Sequence, residues 1–201
     1  MPALVSAQPA LSRRRDGGRV TAGGATIWFT GLPSAGKTTI ATALAARLSD
    51  SGRAVELLDG DVVRPILSAE LGYSRTDRDA NVARIGWVAQ RLADHGVLVL
   101  ACVVSPFSEA RDRVRSSHDA AGVPFFEVHV ATPLGVCEAR DVKGLYARQR
   151  AGSMTGLTGV DDDYEAPASP ELRLDTSDRS IDDVVDELIA TLFSAREENP
   201  L

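Results

Sequence analysis

An eight-residue segment, residues 31–38 with the sequence GLPSAGKT, constrains the fold of this 201-residue chain more than any other feature. It fits the pattern G-x-x-x-x-G-K-[ST], in which glycines let the backbone wind so tightly that successive N–H groups point at phosphate oxygens. An apolar run, Ala25–Thr30, precedes the segment, and a stretch rich in Ala and Leu, residues 37–50, follows it. A phosphate-binding loop requires a strand before it and a helix after it, whereas a glycine turn without a ligand requires neither.

The loop also predicts the chemistry of its ligand. The ammonium group of Lys37 would neutralise the β- and γ-phosphates of ATP, and the hydroxyl of Thr38 would ligate Mg²⁺. The helix that begins here adds the positive end of its dipole. The residues predicted to bind the nucleotide are Gly31, Ser34, Ala35, Gly36, Lys37, Thr38 and Thr39.

Hydrophobic periodicity extends this strand–loop–helix unit to the rest of the chain. Five apolar runs are predicted strands: Ala25–Thr30, Ala54–Asp59, Val97–Val104, Phe125–Val130 and Glu171–Asp175. Helical patterns fall between or after them, at residues 37–50, 78–95, 108–121 and 180–193. Alternation of this kind predicts an α/β fold, a parallel five-stranded sheet with helices on both faces, of the P-loop nucleoside-triphosphate hydrolase type. Ligands of such sheets bind at the carboxyl ends of the strands.

Composition and local signals indicate how the chain is organised. We predict a disordered tail over residues 1–22 and one kinase domain over residues 23–195, with a mobile lid at about residues 143–170, where glycines and prolines replace any regular period. The net charge of −6 argues against nonspecific binding of nucleic acid. Two cysteines favour a reduced, cytoplasmic compartment, and no apolar run is long enough to predict a membrane span.

Two carboxylates lie at the carboxyl end of the second predicted strand. They are Asp59 and Asp61, the second and fourth residues of the sequence LDGD at residues 58–61. Arg64 follows about one helical turn later. At a strand's carboxyl end these acids could hold Mg²⁺ or take a proton from an acceptor hydroxyl. They could also form a solvated turn that caps the next helix, and the phosphate-binding loop nearby favours the functional interpretation.

Further candidate residues follow in the middle of the chain. Arg78 and Asn81 share a helix face and could grip an anion and a base or ribose edge, or lie on a solvated face. Ser105 ends the third strand and could contact a substrate or cap the helix after it. Lys143 belongs to a cationic segment, residues 137–150, which could close over developing charge or form a solvated helix end.

Seven motifs together resemble those of the adenylylsulfate kinase family, in the same order and over about residues 24–193. They read GLPSAGKT, LDGDVVR, DRDANVAR, SPF, CEARDVKGLY, TGVD and YEAP, at residues 31–38, 58–64, 77–84, 105–107, 137–146, 158–161 and 164–167. The resemblance implies an enzyme of sulfate assimilation that transfers the γ-phosphoryl group of ATP to adenylylsulfate, giving 3′-phosphoadenylylsulfate and ADP. It also implies a possible homodimer.

The resemblance further implies roles for individual residues. Asp61 would lie beside the ribose 3′-hydroxyl as a base or metal partner, and Lys143 would lie near the transferring phosphates. The predicted catalytic residues are Lys37, Asp61 and Lys143, and the predicted metal ligands are Thr38, Asp59 and Asp61. The predicted acceptor-binding residues are Asp61, Arg64, Tyr73, Arg78, Asn81, Val104, Ser105, Lys143, Gly156, Leu157 and Thr158.

One departure from the family pattern concerns the acceptor adenine, which the family commonly clamps between two aromatic rings. Tyr73 can supply one ring, but Leu157 stands where the second is usual and offers apolar contact only. A lost stacking contact is worth on the order of 1–3 kcal/mol. A kinase for another nucleotide or a small alcohol is therefore an alternative, and a nucleotide-binding switch without turnover is a second one.

Overall fold

The carboxyl edge of a parallel sheet brings the predicted ligand-binding residues together. The computed structural model describes Val20, residues 23–49 and residues 52–193. Most of the predicted tail over residues 1–22 and the end of the predicted domain, residues 194–195, lie outside these ranges. Within them, the five strands are β1 (Ala25–Thr30), β2 (Val55–Asp59), β3 (Leu98–Cys102), β4 (Phe125–Val130) and β5 (Leu172–Leu174). All pairings are parallel, in the order β2-β3-β1-β4-β5, which confirms the predicted fold class.

Seven helices connect or follow the strands in the described ranges. They are α1 (Lys37–Ser49), α2 (Gly60–Leu67), α3 (Arg75–Asp94), α4 (Ser108–Ala120), α5 (Leu134–Arg140), α6 (Leu145–Arg150) and α7 (Ile181–Leu192). Ser180 is the N-cap of the last of them, because its hydroxyl accepts a hydrogen bond from the Asp183 N–H at 3.1 Å. Periodicity did not predict α2, α5 or α6. They have eight, seven and six residues, and α2 has Pro65 inside it and no buried residue.

The central strand β1 separates two apolar clusters. Its six residues are all buried, with Ile27 and Phe29 in the cluster under α1 and α7, and Trp28 in the cluster under α3 and α4. The period of two explains this alternation. Truncating a buried aromatic such as Phe29 to Ala would cost about 3–5 kcal/mol. The loop after β1 therefore starts from a rigid base.

The segment at residues 143–170 is better packed than its composition suggested. It contains α6, and Tyr146, Leu157 and Thr158 within it are buried. The many glycines and charged residues of this segment gave no sequence pattern that predicts the burial of these three side chains. The mobility of this segment stays a prediction. Among the described residues, no helix is long and apolar enough to cross a membrane.

Candidate active site

A cavity of about 480 Å³ lies at the carboxyl edge of the sheet. Its wall combines the loop after β1 with residues that follow β2 and β3 and with the start of the lid. Most of the residues predicted from the sequence line it: Ser34, Ala35, Gly36, Lys37, Thr38, Thr39, Asp59, Asp61, Arg64, Tyr73, Arg78, Asn81, Val104, Ser105 and Lys143. Four predicted residues do not line it: Gly31, Gly156, Leu157 and Thr158.

Glycine is required where the loop leaves the sheet. Gly31 has a φ of +146°, and a Cβ atom there would lie 2.4 Å from the carbonyl oxygen of Val130. Such a contact is far shorter than van der Waals distance, so a side chain would force β1 and β4 apart at the site. Gly31 thus shapes the loop from behind, without facing the cavity.

Lys37 is held inside the loop by backbone carbonyls. Its Nζ donates to the carbonyl oxygens of Gly31 at 2.9 Å and Leu32 at 2.8 Å. The pKa of Lys37 is lowered to about 8, chiefly by burial and in part by the positive charge of Lys143. A phosphate chain in the loop would supply the negative charge that this buried ammonium group lacks.

The acidic turn after β2 both caps a helix and faces Thr38. The Thr38 hydroxyl donates to one carboxylate oxygen of Asp59 at 2.6 Å, and the Asp61 N–H donates to the other at 2.8 Å. Asp59 is the N-cap of α2, so this turn caps the helix, as one interpretation predicted, and also places Asp59 beside Thr38, as the functional interpretation requires. A hydroxyl and a carboxylate in contact form an oxygen donor set suited to Mg²⁺.

The carboxylate of Asp61 faces the lid. It forms an ion pair with Lys143, and both side chains are about half exposed or more. Two of the predicted catalytic residues are therefore in contact across the mouth of the cavity. Of the three candidate metal ligands, Thr38 and Asp59 are joined directly by their side chains, whereas the Asp61 carboxylate pairs with Lys143.

Arg78 is fixed by four acceptors from two segments. Its guanidinium donates to the Tyr73 carbonyl at 2.8 Å and the Gly156 carbonyl at 2.7 Å. It also donates to the Thr158 hydroxyl at 2.9 Å and the Asp162 carboxylate at 2.8 Å, and its side chain is only 12% exposed. Gly156 and Thr158 thus support a cavity residue instead of lining the cavity themselves.

Tyr73 and Arg64 form the outer rim of the site. The Arg64 guanidinium lies over the Tyr73 ring, 4.5 Å from its centroid, and also bonds the carbonyl of Gly72. A cation over an aromatic face is stabilised by the ring quadrupole. The Tyr73 ring is exposed, which leaves it accessible to a flat ligand.

Two buried oxygens on the cavity wall have no hydrogen-bond partner among the residues that the structure describes. They are the Oγ atom of Ser34, in the loop after β1, and the Oδ1 atom of Asn81, on α3. A buried polar atom without a partner costs about 1–3 kcal/mol. A polar ligand that reached both positions would satisfy them, one on the nucleotide side and one on the opposite side.

Ser105 has a strained backbone and an occupied side chain. Its φ is +40°, and its buried hydroxyl accepts from the Trp28 ring N–H at 3.1 Å and lies 3.0 Å from the Thr30 hydroxyl. It does not cap α4, whose N-cap is Phe107, because the carboxylate of Glu165 accepts from the first N–H of that helix at 2.8 Å. The Ser105 hydroxyl is therefore already engaged by Trp28 and Thr30.

Leu157 lies in the apolar core. It is 3% exposed and belongs to the same cluster as Tyr146, while its N–H donates to the carboxylate of Asp161 at 2.6 Å. The predicted contact between Leu157 and an acceptor base stays a prediction. In this structure the side chain supports the segment that holds Arg78.

Periodicity and motif chemistry missed two threonines next to the loop. Thr132 follows β4 and Thr176 follows β5, and both hydroxyls lie within 3.0 Å of the Ala35 carbonyl oxygen. Arg140, within one of the motifs, donates to the Thr176 hydroxyl at 2.7 Å and to its carbonyl at 2.8 Å. The rule that singled out Ser105, a polar residue after a strand's carboxyl end, would have found both threonines.

A phosphate-binding loop on β1, an acid pair after β2 and a basic acceptor-side wall in one cavity define a P-loop kinase. The family model described as adenylylsulphate kinase matches residues 23–175. The chain therefore belongs to the adenylylsulfate kinase family of ATP-dependent phosphotransferases.

Individual proteins of this family are similar to this chain over most of its length. A protein of Synechococcus sp. (strain JA-3-3Ab) named adenylyl-sulfate kinase is 50% identical over 85% of this chain and 95% of its own length. The structure of the Mycobacterium tuberculosis APS kinase CysC in complex with AMPPNP and APS is 46% identical, with a TM-score of 0.81, and covers 85% of this chain and 98% of that one. The hexameric APS kinase from Thiobacillus denitrificans is 38% identical, with a TM-score of 0.63, over 85% of this chain and 29% of that chain.

Proposed function

We propose that this protein transfers the γ-phosphoryl group of ATP to the 3′-hydroxyl of adenylylsulfate, giving 3′-phosphoadenylylsulfate and ADP in sulfate assimilation. The observation that carries the proposal is that a single cavity is lined both by the residues predicted to bind ATP and by residues predicted to bind the acceptor. The loop after β1 forms the nucleotide side, and Arg78 and Asn81 lie on the acceptor side. A direct transfer between two bound molecules requires such a shared space, because water would otherwise compete for the phosphoryl group.

On the nucleotide side, the backbone of residues 31–38 cradles the phosphates. Lys37 exchanges its two carbonyl acceptors for β- and γ-phosphate oxygens, which are stronger acceptors because they are charged. Thr38 and Asp59 would hold Mg²⁺, which supplies neutralising charge on the phosphate chain when it is bound. A hydrogen bond of 2.6 Å already joins their oxygens, so both oxygens lie at one place on the cavity wall.

On the acceptor side, Arg78 and Arg64 hold the phosphosulfate, and Tyr73 stacks on the adenine. Asn81 offers its unpartnered amide oxygen to a donor of the nucleoside. Arg78 is pre-organised by its four protein acceptors, so little side-chain entropy is lost when an anion binds. The phosphosulfate and the ribose are thereby oriented against the nucleotide.

Asp61 is the candidate general base. Its carboxylate accepts the proton of the 3′-hydroxyl as that oxygen bonds to the γ-phosphorus, and the bond to the β-phosphate bridging oxygen breaks to release ADP. In the free protein Asp61 is paired with Lys143. When both substrates are bound, Lys143 turns its charge to the transferring phosphoryl group and frees the carboxylate.

The test is acceptor-dependent release of ADP. Native protein with Mg²⁺ and ATP should turn over with micromolar adenylylsulfate, and Lys37→Ala should nearly abolish this rate while the fold stays intact. A panel of other nucleotides and small alcohols is the matched comparison. Faster turnover with another acceptor would identify a different kinase, and slow hydrolysis unmoved by any acceptor would identify a switch.

The homodimer, the cytoplasmic location and the absence of nucleic-acid binding stay predictions. Among the relatives, the Thiobacillus denitrificans protein is described as hexameric, which supports testing for an oligomer. Light scattering of the native protein gives the number of chains directly.

A further inference from the structure

The carbonyl oxygen of Ala35, in the loop after β1, is contacted by residues that follow two other strands, β4 and β5. Thr132, two residues past β4, lies 2.9 Å from it through its hydroxyl, and Thr176, two residues past β5, lies 3.0 Å from it. The two hydroxyls are 2.7 Å apart, and Ala35 and both threonines are buried. Because β1, β4 and β5 are neighbours in the sheet, their carboxyl ends bring these residues together.

Proton counting shows that this cluster is redundant. Each hydroxyl has one proton, and the triangle of two hydroxyls and one carbonyl has three edges, so two edges can be hydrogen bonds at once. In every arrangement that uses both protons within the triangle, at least one threonine donates to Ala35. Arg140 donates to the Thr176 hydroxyl at 2.7 Å, which favours Thr176 as a donor towards the triangle. The same Nη1 atom also lies 3.4 Å from the Ala35 carbonyl oxygen, a long and weak contact beside those of the two threonines.

The carbonyl of Ala35 shares a planar peptide with the N–H of Gly36. In a trans peptide the two bonds point in opposite directions, so a carbonyl held by the threonines directs this N–H away from them. Gly36 has a φ of +107°, a conformation that glycine adopts without strain. A peptide that precedes such a glycine could flip at little steric cost, unless something holds its carbonyl.

We propose that Thr132 and Thr176 are positioning residues for the nucleotide: they fix the Ala35–Gly36 peptide so that the Gly36 N–H stays available to a phosphate oxygen. The inference rests on the proposed nucleotide site in this loop, and it does not depend on which acceptor is used. The threonines act through the loop backbone, so their effect belongs to ATP and ADP and not to the acceptor.

The experiment compares Thr132→Val, Thr176→Val and the double valine variant with the corresponding serine variants in the full chain. Valine keeps the shape and removes the hydroxyl, whereas serine keeps the hydroxyl. Direct binding of ADP and ATP by calorimetry is the main readout, and KM values for ATP and for adenylylsulfate are the second. Thr26→Val is the matched control, because Thr26 is a buried threonine on β1 whose hydroxyl bonds His118.

The double valine variant should weaken ATP and ADP binding by about tenfold or more, the loss expected when a charge-assisted hydrogen bond is misdirected. Each single variant should weaken it by much less, because the other threonine still donates. The serine variants and Thr26→Val should bind nucleotide as the native protein does, and KM for adenylylsulfate should stay within about twofold throughout.

Equal losses for ATP and adenylylsulfate, or loss without recovery in the serine variants, would overturn the proposal. Unchanged nucleotide binding in the double valine variant would overturn it as well. If the double valine variant does not fold, the double alanine variant replaces it: unchanged nucleotide binding there overturns the proposal, and weakened binding that the serine variants restore supports it. Failure of the acceptor assay in the native protein would count against the proposed function alone, because the calorimetry uses nucleotide only.

Discussion

The buried ammonium of Lys37 predicts that nucleotide affinity falls as the pH rises. In the free protein its pKa is about 8, chiefly because burial removes water from the charge. Bound phosphates favour the charged form, so the pKa rises on binding and the protein takes up a proton above pH 8. Between pH 7 and pH 9 the charged fraction in the free protein falls about tenfold, and affinity should fall by the same factor, or about 1.4 kcal/mol.

The assay is calorimetric titration with the magnesium complex of ATP from about pH 7 to pH 9.5, in buffers that differ in ionisation enthalpy. Binding should weaken with a slope approaching one decade per pH unit above pH 8, with matching proton uptake. Lys37→Met should bind weakly with a flat profile. Lys143→Gln should move the midpoint to higher pH, because it removes a charge that lowers the pKa of Lys37. A flat profile in the native protein would refute the reasoning.

Three further predictions concern the base, the buried leucine and a buried histidine. Asp61→Asn should lower kcat by at least about 10²-fold, and a change confined to KM would leave Asp61 as a binding residue. Leu157→Phe should destabilise the fold by about 1–3 kcal/mol in urea unfolding because its site is packed; unchanged stability with a lower KM for adenylylsulfate would instead support base stacking at this position. Burial, with help from two arginines, lowers the pKa of His129 to about 4. The unfolded chain therefore binds the extra proton first, and the free energy of unfolding should fall by up to about 3 kcal/mol from pH 6.5 to pH 4; His129→Gln should flatten this slope.

The sequence alone determined the fold class and the nucleotide side of the site. The strands were predictable because buried parallel strands are continuous apolar runs, and GLPSAGKT has one structural role between a strand and a helix. Asp59 was predictable as a candidate because topology assigns ligands to the carboxyl ends of strands, and Arg78 and Asn81 were predictable because their spacing puts them on one helix face. These features depend on residues close together in the chain, so the sequence alone is enough to predict them.

The tertiary structure decided what depends on residues far apart in the chain. Leu157 packs into the core, and Gly156 and Thr158 accept hydrogen bonds from Arg78. The Ser105 hydroxyl bonds with Trp28 and Thr30. The tertiary structure also brought together the three-strand contact around Ala35, whose partners stand 97 and 141 residues away along the sequence. A hydroxyl in a sequence shows only that it can donate and accept; the fold chooses its partner, because only packing sets the distances between segments.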